Sequence, residues 1–194
     1  MNAASHAVLS ASSSDRWLHC PPSVRLSEGF EDKGSDYALE GTCAHALAEY
    51  KLRKALGYPA RDPTEDLAFY NEEMEEATDG YVAYVLEKVE AARQACPDPV
   101  VLVEQRVDYS RWVRQGFGTS DALIIADGTL RIIDLKYGTG IAVSAEDNPQ
   151  LKCYSLDAEV IAKTKLFFGA ITSEKENCIC KPNMNCCTEG NKNE

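Results

Sequence analysis

Along the chain, hydrophobic positions recur first at helical and then at strand spacing. Residues 35–56 open on Ser35, a good N-cap, and run through "LEGTCAHALAEYKLRKAL" to Gly57, a residue suited to closing a helix. The internal Gly41 costs that helix about 1 kcal/mol relative to alanine. A second helix is predicted over 65–95, where Leu67, Met74, Tyr81, Val85 and Val89 fall at helical spacing and Pro97 and Pro99 end the run. Upstream of both lies a short amphipathic segment, "DRWLHCPPS", stopped by its prolines. From residue 100 the pattern changes: "VVLVEQRVDYS", "GFGTSDALIIAD" and "TLRIIDLKYG" read as β-branched strands. Helical spacing returns in "EDNPQLKCYSLDAEVIAK", with Asp147 as the expected N-cap and Gln150 as its capping-box partner. Two helices, three strands and a helix predict an α/β fold. Its sheet is expected to be mixed, with a central antiparallel hairpin flanked by helices and a helical N-terminal region before it.

Composition narrows this picture. A chain of 194 residues, 44% of them apolar, is read as one domain able to bury a core. No apolar run approaches the roughly 18 residues of a membrane span. The opening "MNAASHAVLSASSS" has neither the basic patch nor the long apolar stretch of a secretory leader, so a cytoplasmic location and no membrane partner are expected. A net charge of −11 argues against nucleic acid as a partner. Its distribution softens that objection: eight acids fall between Asp62 and Asp79, with no Lys or Arg among them. An acidic helix face turned away from a site leaves the site free to bind phosphate. The eight cysteines form no disulfide framework; Cys43 and Cys153 read as small buried hydrophobes, and Cys178, Cys180, Cys186 and Cys187 crowd the tail.

The candidate chemistry starts in "LRIIDLKYG", residues 130–138. Residues two apart on a strand share a face, so Leu130, Ile132, Asp134 and Lys136 form one row in which charge takes over from isoleucine. Asp127-Gly128 supplies the dipeptide of a two-residue hairpin turn. With those two as the loop, Asp121 lies opposite Asp134, and Thr119 opposite Lys136. Two aspartates directly opposed repel unless a proton or a cation lies between them. A hard divalent ion suits carboxylate oxygens, and Mg²⁺ commonly uses one or two of them. Lys136, on the same face, is placed to orient a metal-bound water and stabilise developing phosphate charge. The plainer alternative is an exposed strand-end ion pair.

These residues resemble a known family. "GTSD" on one strand, "IIDLKYG" on the next and Gln150-x-x-x-Tyr154 on the following helix resemble the RecB-like branch of the PD-(D/E)XK nucleases. "EGTCAHALAE" is similar to that branch's upstream helix, and "SASSSDRWLHCPPSVRL" resembles the start of its phage- and prophage-encoded members, which are similar to CRISPR-associated RecB-like exonucleases. The resemblance spans roughly residues 10–158. It implies a restriction-endonuclease-like core and hydrolysis of DNA phosphodiester bonds with Mg²⁺ or Mn²⁺, on single- or double-stranded ends. By the same resemblance, His45, Asp121, Asp134 and the Leu135 main-chain carbonyl are the metal ligands and Lys136 is the catalytic lysine, with Asp121 and Asp134 catalytic through the metal. Gln150 and Tyr154 position the substrate, and Glu104 matches a frequent acidic position on the preceding strand.

Each residue also has a plainer reading. His45 serves equally as a structural helix histidine, Gln150 as a capping partner, and Tyr154 as a half-buried core aromatic. Trp17 and Trp112 read as packing residues or as base-stacking platforms. Several family members hold an iron–sulfur cluster with one cysteine before the core and three after it; Cys20 matches the first. The tail, with its C-x-C-x₅-C-C spacing, departs from that pattern and is open to a cluster, a zinc site, a redox module or incidental cysteines. The expected division is a nuclease domain over 1–162, its helical part at 15–95 and its sheet and last helix at 100–162, then a divergent tail over 163–194. A truncated, inactive nuclease fold that binds DNA or a partner is the competing expectation. Cleft basicity is expected from among Arg106, Arg111, Arg114, Arg131, Lys152 and Lys163.

Overall fold

The computed structural model describes residues 7–30, 34–138, 143–165, 172–174 and 178–179, with side chains described as far as Asp157. A 3-10 turn at Ala11–Ser13 leads into α1 (Ser14–His19), α2 (Ser23–Ser27), α3 (Asp36–Ala55) and α4 (Glu72–Ala95). Strands β1 (Val100–Asp108), β2 (Phe117–Ala126) and β3 (Thr129–Leu135) follow, then α5 (Pro149–Lys165) and the short strands β4 (Thr172–Glu174) and β5 (Cys178–Ile179). Cys180, Cys186 and Cys187, on which the tail's metal and redox readings rest, lie outside the described residues, and Cys178 is described only as strand backbone. Among the described residues no helix is long and apolar enough to cross a membrane.

Local chemistry sets the helix ends. The Ser35 hydroxyl accepts the Ala38 N–H at 3.1 Å and starts α3, with Asp36 in its first turn. At the other end Gly57 adopts φ +75°, and the N–H groups of Gly57 and Tyr58 donate to the carbonyls of Lys54 and Arg53, satisfying the final turn. The second long helix begins later than its periodicity suggests. Asn71 takes an extended backbone and accepts the Met74 N–H at 2.8 Å, so α4 starts at Glu72. Leu67 and Phe69 still pack against Leu47 and Met74, but from non-helical backbone. The last helix is capped by Asn148 rather than Asp147. The Asn148 side chain accepts the N–H groups of Gln150 and Leu151 at 2.9 and 3.2 Å, and Pro149 occupies the first helical position, where its missing N–H costs nothing.

The three main strands form an antiparallel sheet in sequence order, flanked by helices, and β4 and β5 add parallel to β3. Asp127 and Gly128 both have positive φ, +46° and +72°, as a type I′ hairpin turn requires. The turn fixes the pairing from Ala126↔Thr129 to Ala122↔Ile133. Both faces of the hairpin are covered, which accounts for the near-continuous apolar run "ALIIA". On one face Ala122, Ile124, Ile133 and Leu135 pack with Leu52, Tyr81, Val85 and Val89 of α3 and α4. On the other, Leu123, Ile125, Leu130 and Ile132 pack with Leu151 and Tyr154 of α5 and with Ala11.

The N-terminal segment is tied to this second face. The buried Tyr109 hydroxyl reaches the carbonyl oxygens of Leu9 and Phe117 at 3.0 and 3.1 Å, and the Trp17 indole N–H donates to Ser10 O at 2.9 Å. Trp17 is thus a packing residue, whereas Trp112 is exposed. Gly116 lets the Tyr109 ring lie flat against the chain: a Cβ there would sit 2.4 Å from the ring and 2.8 Å from the Val113 carbonyl. Gly116→Ala is therefore expected to overpack this corner at a cost of about 2 kcal/mol, lowering Tm by about 4–8 °C. Thermal unfolding followed by circular dichroism checks this; an unchanged Tm contradicts it.

Candidate functional site

The strand register lines up three carboxylates. In the β1–β2 ladder, Val103 pairs with Ala122 and Gln105 with Ser120, which leaves Glu104 facing Asp121. In the β2–β3 ladder, the position after Ala122↔Ile133 brings Asp121 to Asp134. Regular pairing lapses at both places. Glu104 has φ +49°, a conformation that a non-glycine strand residue rarely adopts, and the Leu135 N–H donates to the Asp121 carboxylate at 2.6 Å. At these positions side chains take over where the backbone ladder would otherwise continue.

Two helices complete the site from opposite sides of the sheet. From α3, His45 places Nδ1 3.3 Å from Asp121 Oδ1. Ligand atoms of His45, Glu104 and Asp121 all lie within 4.8 Å of one another. Donors around a six-coordinate ion with bonds of about 2.1 Å stand about 3 to 4 Å apart, so this group is close to the size needed to chelate one. From α5, Gln150 donates to Asp134 Oδ1 and to the Tyr154 hydroxyl, both at 2.9 Å, and accepts from Lys136 Nζ at 2.8 Å. Lys136 Nζ also lies 2.5 Å from Asp134 Oδ2. Gln150 is therefore the hub of a polar network, not the partner of a helix cap. Asp134 is held within that network and is not one of the three converging residues. Leu135 contributes its N–H to Asp121, and its side chain is buried in the core. Cys20 is an exposed free thiol beyond α1.

Charge crowding perturbs these groups. Burial alone lowers the His45 pKa, but the hydrogen bond to Asp121 and the charges of Asp121, Asp134 and Glu104 overcome it and raise the value to about 9. Burial raises Glu104 from 4.5 to about 7, helped by Asp121 and opposed by His45. Burial and then Asp121 raise Asp134 as well, against the pull of Lys136. The raised value keeps positive charge on the imidazole, which offsets part of the negative charge of the carboxylates around it.

A cleft of about 340 Å³ opens over the site. His45, Glu104, Asp121, Asp134, Lys136 and Gln150 line it, and the segment from Ala7 to Ser12 forms one wall. Gly118 admits the Tyr154 ring, which would stand 2.9 Å from a Cβ at that position. Nearer solvent, the Arg106 guanidinium stacks over the Phe117 ring, 3.9 Å from its centroid. Of the other candidate cations, Lys152 pairs with Asp147 outside the cleft lining at 3.0 Å, and the side chain of Lys163 lies outside the described residues. The Arg106–Phe117 pair was not marked by any motif. Its members are diagonal neighbours on β1 and β2, and only the register brings them together.

Comparison with known families places the molecule. Residues 6–182 match the family described as "Protein of unknown function (DUF2800)", and the chain belongs to it. No solved structure matches the chain. The family's chain thus carries an α/β architecture with a three-stranded antiparallel sheet, flanking helices and a His–Glu–Asp group able to chelate a metal.

Glu104 and His45 give the metal-free protein a defined pH response. A carboxyl whose folded pKa is raised contributes stability present below its unfolded value of 4.5 and lost as pH rises through about 7. His45 acts in the same sense, its contribution being present below 6.5 and lost through about 9. In a chelator, the Tm of the wild type is expected to fall progressively from pH 5 to 9. Glu104→Gln is expected to raise Tm at pH 8 and to change it little at pH 4.5. Equal effects of the substitution at both pH values contradict the assignment.

Proposed function

We propose that this DUF2800 member is a metal-dependent deoxyribonuclease of the RecB-like PD-(D/E)XK kind, acting on DNA ends in phage or prophage DNA processing. The observation that carries the reading is one cleft lined by His45, Asp121, Asp134, Lys136, Gln150 and Tyr154, in the chain order of that family's motifs. On this reading the core is restriction-endonuclease-like, with the nuclease domain over 1–162 and a divergent tail after it.

The donor set suits the group the family implies. Carboxylate oxygens favour Mg²⁺ and Mn²⁺, and one imidazole is compatible with Mn²⁺. His45, Glu104 and Asp121 are the residues that would hold the ion, with Asp134 beside them. When bound, such an ion acidifies water and polarises the phosphoryl oxygens. The protein's own part is positioning and charge. His45 and Glu104 give up their protons as ligands, and the buried floor of the cleft excludes bulk water. The Lys136 ammonium is oriented by Gln150 and Asp134, so it is aimed before substrate arrives and donates to the oxygens on which charge develops. Tyr154 braces Gln150 through the hydrogen bond between them. Arg106, flattened on Phe117, meets the phosphate backbone at the mouth. Contacts of this type read phosphate rather than sequence, so binding is expected to weaken steeply with salt.

Cleavage of end-labelled single- and double-stranded DNA with Mn²⁺ tests the reading. Wild type is expected to hydrolyse at least one substrate. Lys136→Ala and Asp121→Asn are each expected to lose about 100-fold or more in rate, with folding intact by circular dichroism. Full activity in Lys136→Ala contradicts the assignment. Binding without hydrolysis by wild type, under any divalent ion, would favour a DNA-binding module instead.

A further inference from the structure

Tyr81 carries a hydroxyl that the fold leaves unanswered. The residue lies on the buried face of α4, 1% exposed, among Leu52, Val85 and Ile133. Its hydroxyl oxygen has no hydrogen-bond partner among the described residues. A phenylalanine would fill this apolar position without stranding a polar atom, so the hydroxyl calls for a reason. A small cavity supplies one. Tyr81 lines it together with His45, Glu49, Glu104, Asp121 and Leu135, on the inner side of the chelating group. The cavity is too narrow for a water molecule, so any partner for the hydroxyl has to come from the residues around it.

Three carboxylates border that cavity, and two are already engaged. Asp121 accepts from the Leu135 N–H and faces His45, and Glu49 accepts from Arg53 Nε at 2.7 Å. Glu104 alone of the three carries no side-chain hydrogen bond among the described residues. It also sits at φ +49°, and a strained backbone of this kind persists only where its surroundings hold it. Burial and the nearby charges of Asp121, Glu104 and Asp134 keep the Tyr81 phenol protonated, so it remains a donor.

We propose that Tyr81 is a positioning residue for the metal centre, its O–H donating to the Glu104 carboxylate when that carboxylate serves as a ligand. This rests on reading His45, Glu104 and Asp121 as metal ligands. Ligating carboxylates are characteristically held by such outer hydrogen bonds, and loss of one commonly costs about 10- to 100-fold in metal affinity. The hydroxyl fixes which way Glu104 turns, and the apolar packing of the ring fixes the hydroxyl. Tyr81 touches neither substrate nor ion, and its effect is transmitted through Glu104.

The test is Tyr81→Phe, which removes one oxygen and keeps the ring. Metal-free wild type and variant are titrated with MnCl₂ by calorimetry, and their Tm values are compared in chelator. The expected result is a 10- to 100-fold weaker Mn²⁺ affinity in the variant, with a metal-free Tm equal to or above that of wild type. In the Glu104→Gln background, Tyr81→Phe is expected to cause no further loss of affinity. Wild-type Mn²⁺ affinity in Tyr81→Phe overturns the proposal while leaving the metal reading intact. A full additional loss in the Glu104→Gln background overturns the route through Glu104. Failure of wild type itself to bind Mn²⁺ overturns the metal reading on which the proposal rests.

Discussion

Carboxylates facing one another across adjacent strands repel, and Glu104, Asp121 and Asp134 do so across three strands of one sheet. Much of the surrounding structure answers that repulsion. His45 reaches in from α3 as a cation, Lys136 closes on Asp134, and the Leu135 N–H turns toward Asp121. What these groups leave unbalanced appears as raised pKa values at Glu104 and Asp134. A protein selected for stability alone would place isoleucine in these rows, as it does two residues earlier at Ile132. The raised carboxylate pKa values, the strained backbone at Glu104 and the buried polar network are features that cluster at functional sites.

The sheet serves as a partition with a different task on each side. Its α3–α4 face brings Tyr81 from the packed core and the half-buried His45 to the carboxylates. Its α5 face brings Gln150 and Tyr154 above Asp134 and Lys136, in a cleft open to solvent. The N-terminal segment, held by Tyr109 and Trp17, forms the far wall of that cleft. On the proposed reading, the α3–α4 side holds the metal ligands and the open side admits the substrate. The small residues at the junction have a physical purpose, since any Cβ at Gly118 would push the Tyr154 ring away from Gln150.

The hairpin was legible in the sequence because its turn is local. Asp127-Gly128 dictates positive φ at both positions, and counting outward gives the register down to Ala122↔Ile133. Ser35 and Gly57 bounded α3 for the same reason: caps are short-range chemistry. Glu104 was marked only by the family resemblance, and its placement was hidden. Its place opposite Asp121 depends on how β1 pairs with β2, and the connection over residues 109–116 is irregular and carries no turn signal from which to count. Tyr81 was hidden differently, because an aromatic at helical spacing reads as core, and only the cavity beside it distinguishes its hydroxyl. The capping residue of α5 was misassigned between adjacent Asp147 and Asn148. Pro149 was the available signal, since proline favours the first helical position and leaves the cap to the residue before it.

On the proposed reading His45, Glu104 and Asp121 form a metal centre. Crystals of the protein grown with Mn²⁺, measured on either side of the manganese absorption edge, test it most directly. The expected result is an anomalous peak bounded by the His45 imidazole and the carboxylates of Glu104 and Asp121, at bonds of about 2.1–2.2 Å. Manganese bound only at the surface acids of α4, with none among these three residues, would contradict it.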